Sequence, residues 1–441
     1  MSAELKPLFE PRSIFLVGNS ELTGEDRIYS DLFHLLVQNL SGYKRGKVFL
    51  IDLSGKIPGS CNNLNMVKVG LDLAIVLLPE KSLAKNLHKL VSRQPKSLLL
   101  MVDELEEKMS EELVKMMKRK TTIIVGPDSI GIINTKTGLI AVPEKWQIFG
   151  GDVAVISQDS CIARNILRLA TNFGISKLVN INENFGTDES DFLSYLSKDK
   201  ETKCICIYLK KVRGGRRFIK TLADAVAEKP VIVLSGTIAG TEILEAAVKQ
   251  AGGIIAHHVR EMLNGGAAVA KQPPLLGERI AIITNVTGPA ELSEKYLLEK
   301  GISLAKPSTE TVEKLQKNHP AAKISNFINL GKAAGADAYK RAAELLLSDE
   351  KVDGIMMINS MKATRFEMDD LRKITDVAKK SKEKPVVDAA LCADNSEGLR
   401  EIVSKSTLPI YTQIEEAVEA IGILKSWGKQ IRRPQGIKST G

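Results

Sequence analysis

Short aliphatic runs alternate with stretches of helical periodicity along almost the whole 441-residue chain, and no other feature constrains the fold as strongly. Runs such as SIFLVG, KVFLID and DLAIVLL are rich in Val, Ile and Leu, as are strands buried on both faces of a parallel sheet. The segments between them repeat apolar residues at the three- and four-residue spacing of crossover helices. The sequence therefore predicts an α/β fold.

The strand-like runs form three sets, each long enough for a sheet of its own. The first set lies in residues 1–145 and the second in residues 146–271. The linker AKQPPLLGER, whose two prolines prevent helix continuation, separates them from a third set in residues 277–428. Residues 429–441, KQIRRPQGIKSTG, have the composition of a disordered tail. We expect three doubly wound domains that bind ligands at the carboxyl ends of their strands.

Composition excludes several classes of protein. The net charge is +9, but lysines alternate with glutamates as in EELVKMMKRK, and no nucleic-acid recognition motif is present. The sequence contains neither an apolar run of about 18 residues nor an apolar signal region, so we expect a cytoplasmic protein without a membrane span. The five cysteines are scattered, which predicts neither a disulfide nor a metal site.

The loop GNSELTG follows the first strand and precedes a helical pattern. Gly18 and Gly24 would allow a phosphate to approach the backbone closely, and Ser20 offers a hydroxyl. A strand-to-helix turn with no ligand fits the same spacing equally well. Taken alone, the loop leaves both interpretations open.

A series of motifs, taken together, resembles the α subunits of ADP-forming acyl-CoA synthetases from about Leu8 to Leu424. In order, they are LFEPRSIFLVGNS, LDLAIVLLPEKSL, GPDSIGIINTKTGL, VAVISQ, TDESDFLSYLSKD, YLKKVRGGRRF, KPVIVLSGTIAG and RIAIITNVTGPAELSEKYLLEKG. The resemblance implies a Rossmann-type CoA-binding domain followed by two flavodoxin-like domains, as in the more distant succinyl-CoA synthetase. It also implies a separate ATP-grasp partner subunit. The family converts acyl-CoA, ADP and phosphate to acid, CoA and ATP through a phosphohistidine.

The same resemblance assigns binding residues. CoA or acyl-CoA would contact the GNSELTG loop and the strand end LLPEKS, at Gly18, Ser20, Gly24, Leu78 and Pro79. ADP or ATP, with Mg²⁺, would bind only through the partner subunit. The family's GPNCLG has become GPDSIG, which places Asp128 at an amide position, and its N-P-V-D has become NFIN at Asn326–Asn329.

Three departures fall where the chemistry should lie. The family's S-H-T-G loop and the insertion before it are replaced by SGTIAGT, so Leu234 or Ser235 stands at the histidine position. The glutamate of the family's YLEG segment is replaced by Lys210, and the start of the phosphate-cradling helix carries Asp159, a good helix cap. Imidazole is nucleophilic at neutral pH, whereas a serine without an adjacent base is not.

His258, next to His257 at the end of a strand, is a weak substitute for the missing nucleophile. Two hypotheses follow from the resemblance. The chain is a non-catalytic CoA- or acyl-CoA-binding member that serves as a regulatory or structural partner of an ATP-grasp subunit, or it is an active α-type subunit that uses another residue. A scaffold without a small-molecule ligand is a third possibility, and the chain could also form homo-oligomers. The sequence leaves enzymatic activity undecided.

Overall fold

The computed structural model describes residues 5–67, 69–102, 105, 107, 109–111, 113, 122–145, 148–182, 187–236, 240–362, 364–393 and 397–432. The chain divides into two compact units. The first comprises Met1–Lys229 and Ser235–Leu244, and the second comprises Pro230–Leu234 and Glu245–Gly441. No described helix is both long enough and apolar enough to cross a membrane.

A parallel five-stranded sheet begins the first unit, with strand order β2-β1-β3-β4-β5. Strands β1, β3, β4 and β5 are completely buried, whereas β2 at the edge of the sheet is buried only at its last two residues. The strands are β1 (Ser13–Gly18), β2 (Lys47–Asp52), β3 (Leu73–Val76), β4 (Ser97–Leu100) and β5 (Ile123–Val125), and the helices are α1 (Lys6–Phe9), α2 (Arg27–Leu40) and α3 (Glu80–Ser92).

A second sheet in the same unit has the order β10-β8-β9-β6-β7. Its strands β8, β9 and β10 are parallel, whereas the β6–β7 hairpin is antiparallel to β9. The strands are β6 (Ile132–Asn134), β7 (Leu139–Ala141), β8 (Gly150–Ser157), β9 (Ile175–Asn180) and β10 (Cys204–Leu209), and the helices are α4 (Ser160–Leu169), α5 (Glu189–Ser197) and α6 (Gly215–Glu228).

The division between the units falls within β11 (Val231–Ser235) and α7 (Thr241–Gln250). In the second unit, β11 pairs in parallel with β12 (Ile254–Ala256), and α8 (Val259–Val269) follows. A third sheet has the order β15-β16-β13-β17-β18-β19, with β14 beside β13. Its strands are β13 (Arg279–Thr284), β14 (Ser303–Leu304), β15 (Lys323–Ile324), β16 (Ile328–Asn329), β17 (Gly354–Ser360), β18 (Val386–Leu391) and β19 (Ile410–Tyr411). Its helices are α9 (Gly288–Glu299), α10 (Thr309–Asn318), α11 (Ala336–Leu347), α12 (Met368–Lys380), α13 (Glu397–Lys405) and α14 (Ile414–Arg432).

The predicted α/β class is confirmed, but two details differ from the sequence expectation. The β6–β7 hairpin lies before the expected boundary at residue 145 yet hydrogen-bonds to β9 of the second sheet, because the hairpin supplies backbone partners to a strand that would otherwise form an edge. The expected disordered tail is wrong for residues 429–432, which continue α14. Lys429 pairs with Glu278 at 3.3 Å and lies in the last turn, where cations stabilise a helix. The rest of the tail lies outside the described residues.

Candidate functional site

The carboxyl ends of β8, β9 and β10 meet at one edge of the second sheet, because these strands are parallel neighbours. The residues that follow them include Asp159 after β8, Asn182 after β9 and Lys210 after β10. The fold thus brings two of the three sequence departures to one place. They are 51 residues apart in the chain, and the sequence analysis did not predict their contact.

Asp159 and Lys210 form an ion pair with 2.6 Å between Oδ2 and Nζ. Asp159 is also the N-cap of α4, since its Oδ1 accepts a hydrogen bond from the Ile162 N–H at 2.8 Å. Burial raises the pKa of Asp159, but the hydrogen bonds from Lys210 and Ile162 outweigh it and leave the pKa below its ordinary value. The hydrogen bond to Asp159 raises the pKa of Lys210. Both side chains are therefore charged at neutral pH.

Gln158 fixes the backbone that carries Lys210. Its Oε1 accepts hydrogen bonds from the backbone N–H groups of Lys210 and Lys211, at 2.8 and 2.9 Å. Its Nε2 donates to the carbonyl of Lys211 at 2.9 Å and to Glu189 Oε2 at 3.2 Å. Glu189 is fully buried, and burial raises its pKa. Sequence reasoning missed this role of Gln158, although the residue stands in the quoted motif VAVISQ.

The loop expected to carry a histidine starts in a confined space. Leu234 belongs to β11 and is only 6% exposed, so it does not lie on the loop. Ser235 ends the strand, and its buried Oγ has no hydrogen-bond partner among the described residues. The N–H of Gly236 donates to the Leu209 carbonyl at 2.8 Å, and a Cβ at position 236 would collide with the Tyr208 hydroxyl. The remaining positions 237–239 lie outside the described residues.

A second carboxylate lies near the first. Asp128 Oδ2 accepts hydrogen bonds from Asn182 Nδ2 and, at 3.5 Å, from Ser160 Oγ. The charge of Asp128 also contributes to the raised pKa of Lys210. Two carboxylates therefore lie close together at this edge of the sheet, beside the start of α4, which is unfavourable for a phosphate dianion there.

His258 has a structural role in the second unit. It is the N-cap of α8, because its Nδ1 accepts a hydrogen bond from the Glu261 N–H at 3.1 Å. Its Nε2 lies 3.4 Å from Glu419 Oε1. Both ring nitrogens therefore have partners within the unit. The neighbouring His257 is exposed, and its N–H donates to Glu261 Oε2 at 2.8 Å.

The expected CoA-binding residues lie together at the carboxyl ends of β1 and β3. The backbone N–H of Ser20 donates to Asp52 Oδ1 at 2.9 Å, and its hydroxyl donates to Asp52 Oδ2 at 2.7 Å. Ser20 therefore fixes the shape of the loop. Gly18 packs too closely on Phe33 to accept a Cβ, whereas Gly24 has φ +65° and open space around it.

Leu78 and Pro79 are buried at the end of β3, and the carbonyl of Pro79 accepts the first helical hydrogen bonds of α3. Asp52 was missed by sequence reasoning, although its position at the end of the second strand could have indicated it. Burial raises its pKa, but hydrogen bonds from Ser20, Ser54 and Ile57 outweigh that effect and lower the pKa far below its ordinary value.

The third sheet has a cavity of its own at the carboxyl end of β13. The cavity measures about 330 Å³ and is lined by Asn285, Thr287, Asn329, Lys323 and Lys332, among others. Asn329 Nδ2 donates to Thr287 Oγ1 at 3.0 Å, whereas Asn326 turns to Glu294 Oε1 at 3.0 Å. The NFIN segment therefore contributes its last residue to the cavity. Gly288 and Pro289 begin α9 beside it.

Comparison with known proteins agrees with this architecture. Residues 150–269 match the model of the succinyl-CoA ligase like flavodoxin domain. The chain is 28% identical to the α subunit of ADP-forming acetate–CoA ligase II of Pyrococcus furiosus, over 96% of this chain and 98% of the relative. A crystal structure of PH0766 from Pyrococcus horikoshii OT3 superposes with a TM-score of 0.86 at 26% identity, covering 98% of this chain and 100% of that one.

A second solved structure carries ligands. It is the dinucleotide forming acetyl-coenzyme A synthetase 1 of Ca. Korarchaeum cryptofilum in complex with phosphate and ADP. Its TM-score is 0.80 at 25% identity, and the match covers 98% of each chain. The resemblance inferred from the sequence motifs is thereby confirmed.

Proposed function

We propose that this chain, a homologue of the α subunits of ADP-forming acetate–CoA ligases, binds CoA or an acyl-CoA and serves as a non-catalytic partner of an ATP-grasp subunit. The proposal places it in the cytoplasm. The family reaction requires a phosphorylatable side chain on the loop after β11. The observation that carries the proposal is the ion pair between Asp159 and Lys210 at the start of α4.

The pair acts against phosphoryl transfer in two ways. The Asp159 carboxylate already accepts from the Ile162 N–H, so the helix N-terminus that would bind a phosphate is capped by the protein itself. The Lys210 ammonium stands where the family has a carboxylate, and a cation does not stabilise a protonated imidazole. Loss of the histidine together with this charge exchange supports an inactive phosphoryl site.

The CoA-binding part of the proposal depends on the GNSELTG loop. Asp52 holds the loop through Ser20, while Gly24 is exposed and unobstructed, so a phosphate can approach the backbone there. The loop follows β1 and lies at the edge of the sheet where α/β folds bind nucleotides. The relative from Pyrococcus furiosus is named a subunit α, which supports a partner for this chain as well.

An active subunit is the alternative, and one observation favours it. The Oγ of Ser235 is buried without a hydrogen-bond partner among the described residues, at the end of the strand that leads into the loop. A hydroxyl in that position could accept a group if a base came from another subunit. Labelling with γ-labelled ATP and an ATP-grasp partner separates the two hypotheses, because phosphoserine is stable in acid and phosphohistidine is not.

CoA binding is tested directly by isothermal titration calorimetry. We expect heat of binding with CoA or acetyl-CoA, and we expect Thr23→Glu to weaken it about tenfold or more because a carboxylate at the loop repels the phosphates. Thr23 is exposed and makes no capping hydrogen bond through its side chain, so the fold should tolerate the change. Thr23→Gln is the matched neutral control. Absence of binding up to millimolar CoA by folded protein would leave the scaffold hypothesis.

A further inference from the structure

A polar cleft of about 370 Å³ lies in the first unit, away from the sites described above. We call it the amino-end cleft and define it by Lys6, Asn134, Lys177, Tyr195, Lys198 and Lys200. Lys6 precedes β1, and Lys177 stands near the start of β9. The cleft therefore opens at the amino ends of the strands, whereas the CoA loop and the Asp159–Lys210 pair lie at carboxyl ends. The proposed function does not use this place.

The charges in the cleft leave an excess of cations. Six cationic and three carboxylate side chains line it. Each carboxylate is already paired within the cleft: Glu10 with Arg45 at 2.9 Å, Glu201 with Lys136 at 3.1 Å and Asp199 with Lys177 at 2.7 Å. In the described part of the chain, the three remaining lysines, Lys6, Lys198 and Lys200, form no ion pair. Together they can neutralise an anion of two or more charges.

The floor of the cleft is rigid and polar. Lys177 is only 1% exposed, and its ammonium is fixed by Asp199, which also accepts a hydrogen bond from Thr202 Oγ1 at 2.6 Å. A buried ion pair contributes little to stability compared with an apolar pair of the same size. The Lys177–Asp199 pair instead places two charged groups in fixed positions beneath a solvent-accessible cavity.

Two further polar side chains, Asn134 and Tyr195, line the cleft. Asn134 is 1% exposed and lines the cleft; its Nδ2 donates to the Phe9 carbonyl at 3.0 Å, and its Oδ1 is buried with no hydrogen-bond partner among the described residues. The amide therefore makes the floor of the cleft polar. The ring of Tyr195 stacks on Phe9 with centroids 5.2 Å apart, and burial and then the charges of Glu10 and Asp199 raise its pKa. Its hydroxyl is thus a donor beside two carboxylates.

We propose that the amino-end cleft binds a small phosphate monoester that carries free hydroxyl groups. Lys6, Lys198 and Lys200 take the phosphate, and the hydroxyls of the ligand bond to the paired carboxylates and to the hydroxyl of Tyr195. The volume suits a phosphorylated compound of three to six carbons and is small for a whole dinucleotide. Because the cleft opens at the amino ends of β1 and β9, whereas the CoA loop follows the carboxyl end of β1, the ligand does not compete with CoA.

Isothermal titration calorimetry of the full chain at physiological salt tests whether the amino-end cleft binds a phosphate monoester. The probes are inorganic phosphate, glycerol 3-phosphate and glucose 6-phosphate. We expect one of the two esters to bind more tightly than inorganic phosphate, and we expect Lys198→Gln with Lys200→Gln to weaken it about tenfold or more. Arg216→Gln with Lys220→Gln, on the exposed surface of α6, removes the same charge and should leave binding unchanged. Prior saturation with CoA should also leave it unchanged.

The possible results separate clearly. Equal binding of all three probes, unaffected by the double lysine variant, would mean that the cleft is only a charged surface, and the proposal would fail. Displacement of the ester by CoA would place the ester in the CoA site and would likewise overturn the proposal. Failure of CoA binding alone bears on the proposed function and leaves the cleft proposal untouched.

Discussion

Asp52 and Asp388 are both fully buried, yet their pKa values move in opposite directions. Burial raises the pKa of each, but Asp52 accepts hydrogen bonds from Ser20, Ser54, Lys56 and Ile57, and these reverse the shift. For Asp388, burial raises the pKa to about 8, and the one opposing hydrogen bond comes from Asn359 Nδ2 at 2.8 Å. The number of donors, and not burial alone, decides whether a carboxyl group is charged at neutral pH.

The neutral form of Asp388 explains two otherwise unpaired atoms. Asp388 Oδ2 and Asn359 Oδ1 are buried and have no hydrogen-bond partner among the described residues. The two residues lie on the same face of neighbouring strands, since Asp388 pairs with Met357 and Asn359 is two residues further on. We expect a protonated Oδ2 to donate to Asn359 Oδ1, which with the bond from Asn359 Nδ2 would close a two-bond acid–amide ring. Asparagine at position 388 can make the same two bonds without a proton.

Asp388→Asn should therefore stabilise the protein, and increasingly so as the pH rises. In the unfolded chain this carboxyl ionises near pH 4, whereas the folded protein keeps its proton up to about pH 8. The wild type thus loses stability between these pH values, and the variant does not. Urea denaturation from pH 5 to 9 should show a difference that grows with pH and levels off above pH 8. A difference independent of pH would contradict the assignment of the proton.

Asp52→Asn should have the opposite effect. The N–H and O–H groups around Asp52 all donate to its carboxylate. The NH₂ group of asparagine is itself a donor and cannot accept from them, so some of these groups lose their acceptor. We expect the free energy of unfolding to fall by about 2–4 kcal/mol. Because the folded pKa is depressed, the wild type keeps this stability above about pH 4 and loses it as the solution is acidified. The difference in free energy of unfolding should shrink in acid. Asp31→Asn, in an exposed pair with Arg27, is the control and should change little.

At the scale of elements, buried strands were the most predictable part of the fold. The pattern predicted β1 and β2 with the bounds that the structure has, and β1 is an apolar run that is buried along its whole length. The β6–β7 hairpin was missed because its three-residue strands are too short to show a period. The cap at Asp159 was predicted from residue type, but its pairing with Lys210 depends on which strands are neighbours, and the local sequence does not contain that information.

The start of α4 offers an element-scale prediction. Asp159→Ser keeps a capping side chain but removes the carboxylate and releases the Lys210 ammonium beside a helix N-terminus. We expect the variant to bind inorganic phosphate about tenfold or more tightly than the wild type. Calorimetry in the Lys198→Gln, Lys200→Gln background keeps the amino-end cleft from contributing. Lys210→Gln is the control, since it leaves the Asp159 carboxylate in place, and equal gains in both variants would contradict the interpretation of the pair.

At the scale of the whole molecule, the sequence predicted the resemblance to ADP-forming acyl-CoA synthetase α subunits and the α/β architecture, but not where the histidines would lie. His34 is exposed on α2, and His88 is exposed on α3. In the second unit His257 is exposed, His258 caps α8, and His319 is half-buried, with burial lowering its pKa. The positions of the histidines depend on the packing of segments that are far apart in the chain, and no local motif predicts that packing.

Incubation of the full chain with a competent ATP-grasp subunit, Mg²⁺ and γ-labelled ATP should leave no acid-labile, base-stable phosphate on this protein. His258, the weak sequence candidate, has Nδ1 occupied by the Glu261 N–H, and its Nε2 lies 3.4 Å from Glu419 Oε1, so neither ring nitrogen is free to take a phosphoryl group. Leu234→His should not restore labelling either, because position 234 is buried within β11. Stoichiometric label lost in His258→Ala, or acid-stable label lost in Ser235→Ala, would instead establish the active-subunit alternative. A wild-type α subunit of a catalytic relative, labelled in parallel, shows that the partner is competent. If that subunit is labelled and this chain is not, the lack of label is a property of this chain.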